Sequence, residues 1–432
     1  MPQMHINLPL LAVAGFALCS YSLADEEPST PGALLNDLDM IGSEYGDDSV
    51  PFPHDPVSDW LTDFHTNLAK SRIQYFIEQS YSRSWFGHAA EGSPSGQNWY
   101  KLHAHVGLNL VTSERHQGTW IKAEVSGSSA LDPRSRETTM DDTLGSLSNT
   151  DCDIYRDDFY YMPELLLSQG FDDGRSVLML GVVNQTNYID TNSYANTSFG
   201  QFTAGPFVNN LVLPLGESNF GFMLQRQMGD QWIIQLGGNM LDCESGQNPF
   251  RHTTGKAFNL IGEISWTSED VLGIGRGTHR LEPFMFHSDG ENHAGIGYNA
   301  EQDLGKSPFA VFFRAGWSCA SSDNPGGAMA QVSGGLIVKK PFSIITGLNE
   351  ADSNYLGLAL AIVKPEAGIL ESDESDERIK PHNREITFQC VYCCAVTPYF
   401  FIEPSYQLTR HPAMRRDRSV ASVFSIQGIL SF

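Results

Sequence analysis

Apolar and polar residues alternate one by one over most of the chain beyond Ser71. The last segment shows it plainly. Val420, Phe424, Ile426, Leu430 and Phe432 share one parity, and Ala421, Ser425, Gln427 and Ser431 share the other. Successive side chains of a strand point to opposite faces, so such a segment has one apolar face and one small or polar face. Val423 and Ile429 interrupt the pattern slightly. Just before it, Phe400, Ile402, Tyr406 and Leu408 oppose Glu403, Ser405 and Gln407. In 231–241, Trp232, Ile234, Leu236 and Met240 alternate with Gln231, Gln235 and Asn239. Further strands are predicted at 72–82, 102–113, 119–128, 158–169, 176–186, 219–228, 257–267, 278–287, 293–302, 308–318, 328–339, 354–363 and 386–395. That makes about 16 strands. The pattern predicts an all-β fold, a transmembrane antiparallel β-barrel, because even numbers of alternating strands close a barrel and about 16 to 18 enclose an aqueous channel.

The connections differ in character. Gly229-Asp230 and Val396-Thr397-Pro398 are tight, whereas 132–157 and 366–383 are long, polar and acidic. Short turns on one rim and long loops on the other are expected of such a barrel. The run Glu371–Glu377 reads as a solvated loop. Before the strands, Ser58 is placed to cap a short helix in which Trp60, Phe64 and Leu68 recur every four residues. It reads as a docking helix. The apolar run Leu8–Leu18, followed by Ser22-Leu23-Ala24, reads as a signal peptide cleaved before Asp25. The expected organisation is therefore a signal peptide over 1–24, an acidic arm with a short helix over 25–70, and a barrel over 71–432.

Composition supports this picture. The chain has 432 residues, 40 of them glycine, and 11% aromatics. Mean hydropathy is −0.24, and beyond the N-terminus there is no uncharged apolar run of about 18 residues, so no transmembrane helix is expected. The net charge of −24 argues against nucleic acid, which needs a basic stripe. Cys390 and Cys394 fall on one strand face about 13 Å apart, with Cys393 on the other. They suit apolar packing better than a metal or a local disulfide. His287, Asp289 and His293 sit around one hairpin and read as ordinary loop residues. Gly273-Ile-Gly275-Arg-Gly277 lacks the strand–turn–helix context of a phosphate loop and reads as a turn. No cofactor, no metal and no catalytic constellation is expected.

Parity also places charge. Lys122 and Glu124 share a face; Glu263 stands with Asn259 and Ser265, opposite Leu260, Ile264 and Trp266; Arg314 opposes Val311, Phe313 and Ala315; Glu403 opposes Phe400 and Ile402. All five are expected to point inward, because a cation facing lipid at the midplane costs about 2–4 kcal/mol and an acid somewhat less. They are the candidate pore-lining residues.

Two stretches resemble the carbohydrate-selective porins of the OprB type. The first runs Gly174-Arg-Ser-Val-Leu-Met-Leu-Gly-Val-Val-Asn-Gln-Thr-Asn-Tyr-Ile-Asp190, then Thr197-Ser-Phe-Gly200, Ala204-Gly-Pro206 and Gly229-Asp-Gln-Trp232. The second joins Val396-Thr-Pro398, Ile402-Glu-Pro-Ser-Tyr-Gln407 and the terminal Phe432; Gly334-Gly-Leu336 and Asn354-Tyr-Leu-Gly-Leu358 lie between. The opening Trp-Gly-rich part of that family is echoed here only by Trp85-Phe-Gly87. The resemblance implies a passive channel for sugars in a bacterial outer membrane. It implies outer-membrane lipids as surroundings, insertion by the barrel-assembly machinery through a terminal aromatic, and room for a homo-oligomer. The competing expectations are a general or ion-selective porin, a non-conducting adhesin or structural barrel, and an outer-membrane enzyme such as a lipase or protease, for which the sequence carries no positive signal.

Overall fold

The computed structural model describes residues 56–432 apart from 89–93, 114–115, 137–138, 149, 155–158, 173, 244–246, 321–323, 348–349, 352, 367–382 and 414–418. The expected signal peptide, the arm to residue 55 and the acidic run Glu371–Glu377 lie outside the described residues. A helix, α1, spans Pro56–Lys70. It starts two residues before Ser58, with proline opening it, so Ser58 lies in the first turn rather than at the cap. The strands follow as β1 Ile73–Gly87, β2 Gly96–Ser113, β3 His116–Ala130, β4 Phe159–Phe171, β5 Ser176–Val183, β6 Asn219–Met228, β7 Trp232–Met240 and β8 Phe258–Ser268. The second half comprises β9 Gly277–Ser288, β10 Glu291–Asp303, β11 Phe309–Ser318, β12 Ala328–Lys339, β13 Tyr355–Pro365, β14 Glu385–Thr397, β15 Phe400–Arg410 and β16 Val420–Ser431.

Each strand pairs antiparallel with its sequence neighbours, and β1 pairs with β16 to close the barrel. Closure needs no edge strand, which is how a sheet survives in lipid. The seam includes the last residue: Phe432 accepts from the Ile77 amide at 2.8 Å and donates to the Ile77 carbonyl at 3.0 Å. Deleting Phe432 removes both bonds at the seam. The expected result is a smaller fraction of heat-modifiable, protease-resistant barrel in membranes, read by gel mobility with and without boiling. Unchanged mobility would show that the seam closes without it.

The alternation reads out as inside and outside. Ile402, Tyr406, Phe424 and Ile426 are exposed on the outer wall, whereas Glu403, Ser405 and Gln407 point inward. Aromatics cluster outside near both rims. Trp85 stacks on Phe424 toward the long-loop rim, and Trp232 lies 6.2 Å from Trp266 toward the rim that carries the termini. Paired girdles with an apolar band between them are what a bilayer selects. α1 packs at the terminal rim, where Phe64 and His65 contact Tyr75, a residue of outward parity. The rims are unequal, as expected, with two exceptions. The terminal rim carries a short helix, Pro341–Thr346. On the long-loop rim β9 turns into β10 through Asp289-Gly290, both with positive φ (50° and 84°), a hairpin turn matched to strand twist.

The lumen is largely filled. Segment 184–218, between β5 and β6, leaves the long-loop rim and folds inward. It contributes Tyr188, Ile189, Val212 and Leu213 to one apolar cluster with Val177, Met179, Met223, Ile261 and Phe286 of the wall. Farther along, Phe202 and Phe207 pack on Phe312, Ile337, Ala359 and Val391, and Phe199 packs on Cys393, Phe401 and Ile429. Each fully buried aromatic contributes roughly 1.5–3 kcal/mol. This explains the interrupted parity of β16. Ile429 meets Phe199, and Val423 meets Leu144 of the inserted 131–158 loop. Inward apolar residues mark where a loop docks. Inward glycines mark the same contact: a Cβ on Gly357 would lie 2.6 Å from Phe202 Cζ, and one on Gly316 2.6 Å from Asn210 Oδ1.

Cys393 is buried on the inner face, whereas Cys390 and Cys394 are half-buried on the outer parity. No disulfide joins any two of the six described cysteines.

Candidate functional site

Segment 184–218 packs on the inner wall from β5 round to β16 and touches the β1–β4 side at Lys101, Glu124 and Glu164, standing off the rest of it. The space between is a cavity of about 460 Å³. That is within the range of small-molecule sites, about 300–1,000 Å³. Its strand side carries Glu78, His103, His105, Lys122, Glu124 and Glu164. Its other side is built from the inserted segment: Asn184, Thr186, Asn187, Tyr188, Asn192, Ser193, Asn196, Thr197 and Gln201. Asp153 of the 131–158 loop and Arg280 of β9 also line it.

The segment is held by buried polar pins. Asp190 sits at φ 63°, a left-handed conformation costly for a residue with a Cβ. Its surroundings over-determine it. Arg314 Nε donates to Asp190 Oδ1 at 2.9 Å, and Nη2 to the Asp190 carbonyl at 2.8 Å. Asn299 Nδ2 donates to Oδ1 at 2.7 Å. The Asp190 amide in turn donates to Glu263 Oε2 at 3.0 Å, while Gln235 and Ser265 donate to Glu263 Oε1. Arg314 Nη1 also donates to the Phe207 carbonyl. A second pin joins both inserted loops to β2. Lys101 Nζ donates to Asp151 at 3.0 and 3.1 Å and to the Ser198 hydroxyl at 2.7 Å. The 131–158 loop has a pin of its own, the Glu385 carboxylate, which accepts from Ser146 Oγ and the amides of Leu147 and Ser148, and from the Ala413 amide of the β15–β16 connection.

The five candidate pore residues therefore separate into two groups. All point inward. Lys122 and Glu124, themselves 5% and 2% exposed, line the cavity. Glu263, Arg314 and Glu403 lie on the inner wall beneath the inserted segment, at 1%, 0% and 0% exposure. Glu403 Oε1 accepts from Gln427 at 2.6 Å. The Lys122 ammonium stands 5.5 Å over the Tyr188 ring, and the Tyr188 hydroxyl donates to Glu164 at 2.8 Å. Glu124 Oε2 accepts from Asn187 at 2.8 Å and Asn184 at 3.1 Å.

Several lining groups were not singled out from the sequence: Glu78, His103, His105, Asp153, Glu164 and Arg280. The signal for the histidines was present. Leu102, His103, Ala104, His105 and Val106 alternate, and the register sets His105 opposite Glu124. His103 Nε2 lies 3.3 Å from Asp153 Oδ1. Burial would lift the Asp153 carboxyl, but His103, Lys101 and the Ser198 hydroxyl hold it well below the usual carboxylate range. Burial, aided by that carboxylate, pushes the neighbouring Cys152 thiol up, which disfavours a reactive thiolate.

The barrel superposes on the high-pH structure of OprB from Pseudomonas putida with a TM-score of 0.67, at 15% identity, over 87% of this chain and 97% of that one. The fold is a porin fold. The low-pH structure of the same porin matches at a TM-score of 0.54 with 12% identity, over 87% of this chain and 98% of its own. The outer-membrane channel DcaP of Acinetobacter baumannii matches at 0.50 with 10% identity, over 83% and 97%. No family model matches the chain, and no curated protein does. The stretch that resembles carbohydrate-selective porins in sequence, 174–206, is β5 together with the part of the inserted segment that bears Asp190 and the buried phenylalanines.

Proposed function

We propose that the protein is a diffusion channel of a bacterial outer membrane that passes carbohydrates. The observation that carries this reading is the two-sided cavity. One side offers charged groups on rigid strands. The facing side offers amides and hydroxyls, and the mostly buried Tyr188 ring reaches the cavity between them. A sugar presents adjacent hydroxyls and an apolar ring face, so it needs mixed donors and acceptors beside an aromatic surface. The sequence resemblance to the carbohydrate-selective porins points the same way. The terminal Phe432 on an alternating strand fits delivery to the barrel-assembly machinery, and the outer apolar band fits lipid.

A second reading, an ion-selective porin, is favoured by the excess of carboxylates among the described lining residues. Glu78, Glu124, Asp153, Glu164 and Glu217 stand against Lys122 and Arg280. Swelling of liposomes containing the purified protein separates the two. Monosaccharides are expected to enter fast, and trisaccharides at least several-fold more slowly. Ion conductance without any monosaccharide entry would replace the sugar channel with the ionic one. Neither conductance nor swelling would make the barrel a non-conducting one.

A further inference from the structure

We infer that His103, His105 and Glu124 form a binding site for a divalent transition-metal ion of the zinc class on the channel wall. The sequence pattern predicts no metal; the register of β2 and β3 changes that. His103 and His105 are two residues apart on β2 and share its inner face, and Glu124 of β3 is the direct cross-strand partner of His105. One donor atom from each lies within 4.8 Å of the other two. Ligands of one tetrahedral ion at about 2.0–2.1 Å would sit roughly 3.4 Å apart. Closing on an ion thus asks for movements of order 1 Å, which the two half-buried imidazoles on the cavity wall can make toward the fixed, buried Glu124 carboxylate.

The surroundings suit the ion. Asn184 and Asn187 donate to Glu124 Oε2, and Ser126 to Oε1 at 3.2 Å, so the carboxylate is already oriented. Asp153 orients the His103 ring in the same way. Hydrogen-bonded outer partners of this kind fix ligand geometry and strengthen metal binding. The His105 ring nitrogens have no hydrogen-bond partner among the described residues; the ring makes only edge and tilted contacts, with His103 and Phe76. Two imidazoles with one carboxylate select zinc, nickel or copper over calcium and magnesium, which prefer all-oxygen sites. The three side chains line the cavity, so the ion enters from solvent, and its remaining positions face the lumen. A bound ion adds positive charge and coordinated water to the β2–β3 wall of the cavity. That last consequence rests on the channel reading; the binding itself does not.

The test is direct. Detergent-purified full-length protein is dialysed against zinc at neutral pH, and its metal content and affinity are measured by atomic emission and calorimetry. About one ion per chain is expected, removable by a chelator. His105→Gln and Glu124→Gln should each weaken binding by at least about tenfold. His287→Gln, at the exposed hairpin on the rim, should leave it unchanged; heat modifiability confirms that every variant is folded. Zinc should also lower single-channel conductance of the wild type, and a chelator should restore it. Absence of bound zinc overturns the site. Equal binding by the wild type, His105→Gln and Glu124→Gln overturns it too. Zinc bound through these residues in a protein that carries no current upholds the site and overturns the channel.

Discussion

Arg314→Ala is expected to raise single-channel conductance several-fold and to lower thermal stability. The guanidinium is wholly buried and makes three hydrogen bonds to Asp190 and one to Phe207, so the substitution strands a buried carboxylate and leaves a chain carbonyl unpaired. Breaking a buried ion pair from one side typically costs about 3–5 kcal/mol. The strain at Asp190, held in a left-handed conformation, then has less to oppose it. The apolar anchors at Phe202 and Phe207 keep the segment associated with the wall. The change is therefore a loosening of segment 184–218 rather than loss of the barrel, and a loosened segment widens the lumen. Removing both charges tests the account. Arg314→Met with Asp190→Asn leaves no uncompensated charge and should recover part of the stability lost in Arg314→Ala. A variant whose conductance and melting match the wild type would show that the pin does not hold the segment.

The inserted segment changes what two candidate residues do. From parity alone, Arg314 and Glu263 are charges on a lumen wall, and such charges act on passing ions. With the inserted segment in place they face a loop instead of water, and their partners there are the Asp190 carboxylate and backbone groups of residues 190 and 207. Parity is a local property, set by the pleat, and it was sufficient to place every strand and the inward side of all five charged residues. Which inward residues meet solvent is a non-local matter. It depends on where a loop of irregular backbone comes to rest, and no periodicity encodes that. The sequence did carry indirect signs. Segment 184–218 holds Phe199, Phe202, Phe207, Val212 and Leu213 without alternation, more apolar surface than a solvated loop would expose. Val423 and Ile429 stand on the wrong parity for a water-filled barrel. Gly316 and Gly357 leave inward positions empty of side chain. Together, apolar residues in a loop, apolar residues inside and missing side chains inside describe a loop docked on an inner wall. The histidines carry a weaker sequence signal. They are neither permanently charged nor apolar, and His103 and His105 become notable only through the cross-strand neighbour Glu124.

Charge selectivity should then follow Lys122 and Glu124, which border the open cavity, rather than Glu263. The described lining residues carry more carboxylates than cations, so the wild-type channel is expected to favour cations. Lys122→Ala removes one of the opposing charges and should move the reversal potential further toward cation selectivity. Glu124→Gln keeps the shape and the hydrogen-bond acceptor but removes a negative charge, and should move it toward anions. A unit charge within several ångströms of the ion path, acting through a partly aqueous lumen, is worth on the order of 1 kcal/mol, a few-fold change in the permeability ratio. Glu263→Gln is the control. Its carboxylate is covered and engaged by Asp190, Gln235 and Ser265, so its effect on reversal potential should be smaller than that of Glu124→Gln. The measurements belong in a salt gradient near 0.1 M with a chelator present, because screening lengths of about 10 Å there contract to about 3 Å at 1 M. Near 1 M the shifts for Lys122→Ala and Glu124→Gln should shrink together. Neutral sugars should respond less, since they sense hydrogen bonding and stacking more than field. A reversal potential that moves for Glu263→Gln but not for Lys122→Ala or Glu124→Gln would place the ion path on the far side of the inserted segment, and with it the channel itself.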